Sequence, residues 1–352
     1  MRKLLLTILS CCLFVGLLYG QEKKSAGKDV WKELKVKVGA LIKLSALFED
    51  PHGQSDNNYY FKVDHVFINI KGSFAKDFRF FVQPHYSQYL PGGGTVNGAN
   101  MFVDYVGFPV KIRVGKFMYP GSLGAFTPAS KMDFTTRPVM STDTVLPQCR
   151  DIGVMLFGDA LKRKLGERNL TLRLFGSVTN GKQPRTTAMG EGLMYTMRAE
   201  LHIEKLFSLG ACYLKDYQEH ELGQIPAGMG TLDHLRFGSM DATLFLGPIR
   251  LGGEFLHGWC VQAPSSYHFE GFYAKMFLRF WKHAEIGARY ELWDRNRTER
   301  YKTEVVTVAL NILLNPKNPH AAKIQVNWRK LREGDPARTD KNALQVLLQI
   351  CF

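Results

Sequence analysis

Apolar and polar residues alternate along most of this chain with a period of two. The last nine residues, "LQVLLQICF", show it most plainly. Ile350, Leu348, Val346 and Leu344 fall on one side with Phe352, and Gln349 and Gln345 fall on the other. Successive side chains of a strand point to opposite faces, so this pattern predicts a strand with one greasy and one mostly polar face. Segments of the same kind, bounded by turn residues, fill the chain. They are 34–48, 60–72, 77–88, 99–107, 110–117, 149–160, 168–178, 194–203, 207–216, 234–246, 249–258, 269–280, 284–294, 301–314, 321–331 and 342–352, sixteen in all.

The connections sort by parity. "EDPHGQSDNNY" is long and "GSFAK" short; "QYLPGGGTVNG" is long and "FP" minimal; "YQEHELGQIPAGMGTLDH" is long and "GP" minimal. Long loops at one end and short turns at the other are what a membrane barrel with an even number of strands shows. The expected fold is therefore all-β, a transmembrane antiparallel β-barrel of about 16 strands, occupying 34–352. Closure satisfies every backbone group without an exposed edge. The final strand should pair with the first, and Tyr and Phe near strand ends should form aromatic girdles.

The N-terminus adds the compartment. Arg2 and Lys3 precede an apolar run from Leu4 to Leu18, and "LYGQEKK" then turns polar. This reads as a signal peptide over 1–20, followed by a short periplasmic segment over 21–33. No later segment is apolar over eighteen residues, so no membrane helix is expected. The barrel then belongs in the outer membrane of a Gram-negative bacterium, in contact with its lipid and lipopolysaccharide. A terminal Phe352 on such a strand is the usual signal for the barrel-assembly machinery.

The stretches "KIRVGKFMYPGSLG" and "CRDIGVMLFGD", followed in order by "LRLFGSVTNG", "LGPIRLGGEFLHG", "GFYAKMFLRF", "AEIGARYELWD" and "VTVALNILLNP", resemble the phosphate- and polyphosphate-selective porins of Gram-negative outer membranes. The resemblance covers most of the chain from Leu34 to Phe352. It implies sixteen strands, a homotrimer, and a third outer loop folded inward as a constriction. That position is 118–148, the longest gap, which the strand pattern places between the fifth and sixth strands. The family's dense arginine ladder and lysine cluster are not matched residue by residue, so its phosphate site is not carried over.

Charge then bears on what the pore would pass. The formal net charge is +14. Parity assigns Lys71, Arg79, Lys111, Arg113, Arg173, Arg198, Lys275, Arg279, Arg289 and Arg329 to the lumen, against Glu200, Asp241, Glu254, Glu285 and Glu291. The 118–148 loop adds Lys131 and Arg137, opposed by Asp133 and Asp143. Rings of Lys and Arg ease the passage of anions, so the sequence predicts a mildly anion-selective porin for small anionic solutes, phosphate or another oxyanion among them. A barrel whose surface loops bind host or surface ligands is the alternative.

Catalytic and metal chemistry is not legible. His52, His65, His85, His202, His220 and His234 show no paired ligand spacing, and the cysteines form no metal or disulfide framework. No Ser sits in a nucleophile elbow. The expectation is no enzyme, no metal and no cofactor. The strand pattern and signal peptide also argue against nucleic acid as a partner.

Overall fold

A computed structural model describes residues 34–51, 58–87, 96–143, 146, 149–181, 193–217, 232–262, 265–300, 302–334 and 339–352. The expected signal peptide (1–20) and periplasmic segment (21–33) lie outside these. Sixteen strands form one closed antiparallel barrel, each paired with its neighbours in sequence and the last with the first. They are β1 (Lys35–Pro51), β2 (Asn58–Phe74), β3 (Phe78–Tyr86), β4 (Val96–Tyr105), β5 (Lys111–Met118), β6 (Arg150–Leu165), β7 (Arg168–Thr179) and β8 (Met194–Ile203). The second half comprises β9 (Phe207–Tyr217), β10 (Leu232–Leu246), β11 (Ile249–Gln262), β12 (Ser265–Trp281), β13 (Ala284–Asp294), β14 (Lys302–Leu313), β15 (Ala322–Glu333) and β16 (Lys341–Cys351).

Every expected strand is present, and alternation decides its faces. On β16, Leu344 and Ile350 are exposed on the outer wall, while Gln345, Leu347 and Gln349 are buried inside. The outer wall elsewhere carries Val38, Leu174, Met197, Phe255, Ile286 and Val308, all exposed. An apolar belt of this kind is stable only against hydrocarbon, and a closed ladder leaves no backbone group unpaired there. The fold is that of an outer-membrane barrel. Aromatic rings mark the short-turn rim, where Phe78 stacks on Phe74 at 5.2 Å and Tyr105 meets Phe108 at 5.0 Å. Phe48 and Tyr59 meet edge-on at 5.5 Å at the other rim.

The greasy chain end closes the barrel. Leu44 pairs with Leu348 and Phe48 with Leu344. The Ala40 amide donates to the Phe352 carbonyl (2.8 Å), and the Phe352 amide donates to Ala40 O (3.0 Å). A Cβ on Gly39 would collide with that same Phe352 carbonyl, so the close approach requires glycine. The Phe352 ring itself is 75% exposed on the outer wall.

Two differences from the pattern reading have a local cause. The 149–160 segment runs on to Leu165, because a bulge between Asp159 and Leu161 and the polar run "LKRK" hide its continuation. A second bulge, between Lys43 and Leu44, shifts β1 against β2.

Candidate pore and its inward loop

The segment between β5 and β6 lies inside the barrel. It holds a short helix, α1 (Leu123–Phe126), and two 3₁₀ turns, Ala129–Lys131 and Val139–Ser141. Its apolar side chains pack into the interior core lined by the strands. Tyr119, Met140 and Leu146 pack with Phe117, Met155, Met194, Leu214, Phe237, Leu256, Phe269 and Trp293 from the wall. Met132 and Ala129 pack on Leu41, Phe67 and Ala99, and Phe134 packs on Phe277 and Ala309. Each large side chain buried this way contributes roughly 1.5–3 kcal/mol.

Polar wall groups satisfy the loop backbone. Glu254 accepts from the Leu123 and Gly124 amides at 2.7 and 3.0 Å, capping α1. Glu291 accepts from Val139 N (2.5 Å), Trp293 donates to Asp143 (3.0 Å), and Gln349 donates to Ser130 O (2.9 Å). Asp133 is the most heavily held. One carboxylate oxygen takes Lys275 (2.7 Å) and the other Arg250 (2.8 Å). Asn311 and Gln325 donate to its carbonyl, and Lys323 donates to that of Met132 (2.5 Å). Burial would by itself raise the Asp133 pKa, but the charges of Lys275 and then Arg250 outweigh it and hold the carboxyl well below its usual range.

This geometry divides the basic residues named from sequence. Six are ion-paired. Arg113 grips Asp104 through two bonds (2.7 and 2.9 Å) while lying 3.7 Å over Phe102. Arg173 pairs with Asp159 (2.8 Å) and Arg279 with Glu285 (3.4 Å). Arg198 bridges Glu200 and Asp241, both at 2.8 Å, and reaches Gly121 O. Lys275 holds Asp133, and Arg289 pairs with Glu291 (2.8 Å) while donating to the carbonyls of Thr136 and Arg137. Arg198, Lys275 and Arg289, together with the missed Arg250, are anchors of the loop.

The other six have no ion pair among the described residues. Arg137 donates to the carbonyls of Gly124 and Ala125 within the loop, and Lys131 is exposed at the end of its 3₁₀ turn. Lys71 lies over Phe81 (5.2 Å) and Lys111 over Phe157 (5.7 Å). Arg79 is exposed opposite Asp104, and Arg329 is half-buried opposite Thr307.

The interior is therefore lopsided. On β8, β10, β11 and β13, Glu200, Asp241, Glu254, Glu285 and Glu291 face inward as parity indicated, and each is engaged by a cation or a loop amide. Across β15, β16, β1 and β2 a single inward row reads Lys323, Gln349, Lys43, His65. Lys43 is 1% exposed, and no hydrogen bond or ion pair reaches it among the described residues. His65 touches His85 through ring nitrogens 2.9 Å apart, and Phe67 stacks on His85. Asp64 and Asp104 in this sector are already matched to Lys62 and Arg113. Toward the short-turn mouth, Lys37 opposes Lys71, and both are exposed with Arg79. Water thus reaches the short-turn mouth beside Lys37, Lys71 and Arg79, while Thr307 and Asn311 on β14 are fully buried under the loop.

Lys43, Lys323, Arg250 and the His65–His85 contact were not singled out from sequence. Lys323 and Arg250 share the inward parity of Gln325 and Glu254, so the signal was present. The histidines are twenty residues apart and meet only through strand pairing.

No family model matches this chain, and no curated protein matches it. Solved structures share its fold. OmpT of Vibrio cholerae aligns at TM-score 0.62 with 8% identity over 91% of this chain and 98% of its own, and an in-vitro folded OmpT is described as a trimer form. The channel DcaP of Acinetobacter baumannii gives 0.61 with 10% identity over 94% and 99%. OmpF of Salmonella typhi gives 0.60 with 12% identity over 90% and 98%. One expectation is corrected by the same finding. The exclusion of an enzyme does not stand, because OmpT, an outer-membrane protein at 7–8% identity, shares this barrel, and a barrel shared at that identity does not determine activity. What the likeness establishes is architecture: the chain has the porin fold.

Proposed function

We propose that this chain forms a water-filled porin channel that favours small anions, phosphate or another oxyanion among them. The carrying observation is the row Lys323–Gln349–Lys43–His65 together with Lys37, Lys71, Arg79 and Lys111. The lysines and Arg79 lie on one sector where Asp64 and Asp104 are already matched to other cations; Lys37, Lys71 and Arg79 are exposed, and Lys43 and Lys323 are buried in the wall behind them. A low-dielectric wall focuses such an excess onto the water beside it. The loop covers the acidic side and also reaches the basic wall through Ala129, Met132 and the bonds from Lys323 and Gln349, and so narrows the path. The sequence resemblance to phosphate-selective porins supports the choice of oxyanion. A homotrimer is part of the proposal, supported by that resemblance and by the trimer form of OmpT. So is recognition of Phe352 by the assembly machinery, and contact of rim arginines such as Arg300 with lipopolysaccharide.

The test is single-channel recording on Lys43→Gln and Lys43→Glu. The chloride-over-potassium preference of the parent should fall in the first and fall further in the second. An unchanged preference in both removes the row from the selectivity of the pore.

A further inference from the structure

The short-turn rim has one hairpin out of proportion to the rest. The last pair between β5 and β6 is Lys111 with Phe157, yet β6 continues through the eight residues Gly158–Leu165. That is about 26 Å of strand at 3.3 Å per residue. The other short-turn hairpins overrun their neighbours far less. β10 ends at Leu246 after Leu244, and β12 ends at Trp281 after Leu278; the overrun is on the β5 side, since on its other side the same hairpin passes β8 by only two residues, Leu170 already pairing with Ile203. Residues 160–169 are all exposed.

The hairpin has two chemically distinct faces. Residues directly opposite in an antiparallel pair share a face. The pairs are Leu161 with Leu172, Arg163 with Leu170, and Leu165 with Arg168. Leu172 and Leu170 continue the outward parity of Leu174, so this face extends the hydrocarbon-facing wall. It alternates leucine and arginine, with Leu161 and Leu165 each 45% exposed. The other face carries Lys162, which pairs with Asp159 (2.8 Å), Lys164, Thr171, and Asn169, which bonds Glu204 (2.7 Å). Neither Arg163 nor Arg168 has an ion pair among the described residues. Glu167 at the tip is the nearest acid in sequence, and Asp159 is shared by Lys162 and Arg173.

We infer that the outward face of this hairpin binds an anionic phospholipid of the inner leaflet, its phosphodiester between Arg163 and Arg168 and its acyl chains over Leu161, Leu165, Leu170 and Leu172. Strands of such barrels tilt by about 35–45°, so the hairpin runs obliquely through the headgroup layer. Arginine there extends its guanidinium to the phosphates while its stem stays on apolar surface. A water-soluble acidic polymer would match the arginines but leave the leucines in water, which favours the lipid.

Each arginine near an anionic surface strengthens binding about fivefold, so the pair should give roughly a 30-fold preference. The experiment is native mass spectrometry of the folded full chain titrated with phosphatidylglycerol and with phosphatidylcholine. Phosphatidylglycerol should bind roughly 30-fold more tightly, Arg163→Gln with Arg168→Gln should erase the difference, and Lys162→Gln with Lys164→Gln should leave it. Equal binding of the two lipids, loss in the lysine variant instead, or displacement by soluble glycerol phosphate or a muropeptide would overturn the inference. A parent preference that persists in 1 M salt, where screening acts over about 3 Å, would overturn it without any variant.

Discussion

Replacing Asp133 by Asn removes one charge from the most heavily held point of the inward loop and leaves Lys275 and Arg250 facing a neutral amide. The three side chains are 12%, 17% and 23% exposed, so the cluster is largely but not wholly shielded from water. Breaking a buried pair by removing one partner costs about 3–5 kcal/mol, and the residual exposure argues for the lower end, about 3. That corresponds to a roughly 150-fold rise in the population of the locally undocked loop. The remaining anchors at Glu254, Glu291 and Trp293 hold α1 and the second 3₁₀ turn, so the opening should be confined to the stretch around 129–136. Hydrogen exchange on folded protein measures this directly. Exchange of the 129–136 amides should accelerate by on the order of a hundredfold, while those of β12 and β14 should not change. Unchanged protection at 129–136 would refute the view that the Asp133 clamp fixes the loop.

The same carboxyl sets the loop's behaviour in acid. Its folded pKa is depressed, so its stabilisation is complete above the ordinary carboxylate range and is lost only as pH falls through the folded value. Conductance traces at pH 7 and pH 4 should therefore show the same loop-closed level, and a release transition centred near pH 4 would contradict the clamp. Deleting residues 123–143 should raise single-channel conductance, and an unchanged value would remove the loop from the constriction. Removing Phe352 deletes two backbone hydrogen bonds to Ala40 as well as the exposed ring; the yield of heat-modifiable barrel in the outer membrane should drop, and full yield would count against this role. Gly39→Val should hinder closure for the related reason that its side chain meets the Phe352 carbonyl, seen as loss of heat-modifiable migration on refolding.

The barrel was legible because its rule is local. Whether residue i faces lipid or lumen follows from its neighbours at i ± 1 and i ± 2, and long and short gaps sort by parity. Even the inward acids Glu254 and Glu291 followed from counting. What parity gives is a direction, and ion pairing depends on partners far away in sequence. Lys275 and Asp133 are 142 residues apart, and nothing near either one signals the other. Half of the basic residues named from sequence therefore proved to be matched to acids, several of them in service of the loop. Lys43 was obscured for a different reason. Its inward neighbours Leu41 and Leu47 are apolar and buried in the interior, so the polar face of β1 does not read as polar.

The central claim is that unmatched cations on the β15–β16–β1–β5 sector make a conducting pore that prefers anions. The most direct measurement is the reversal potential of the purified, folded protein in a planar bilayer under a KCl gradient. The predicted result is discrete conductance steps with a chloride-favouring potential. A potassium-favouring potential would contradict the charge assignment, and verified folded protein that opens no channels would contradict the pore itself.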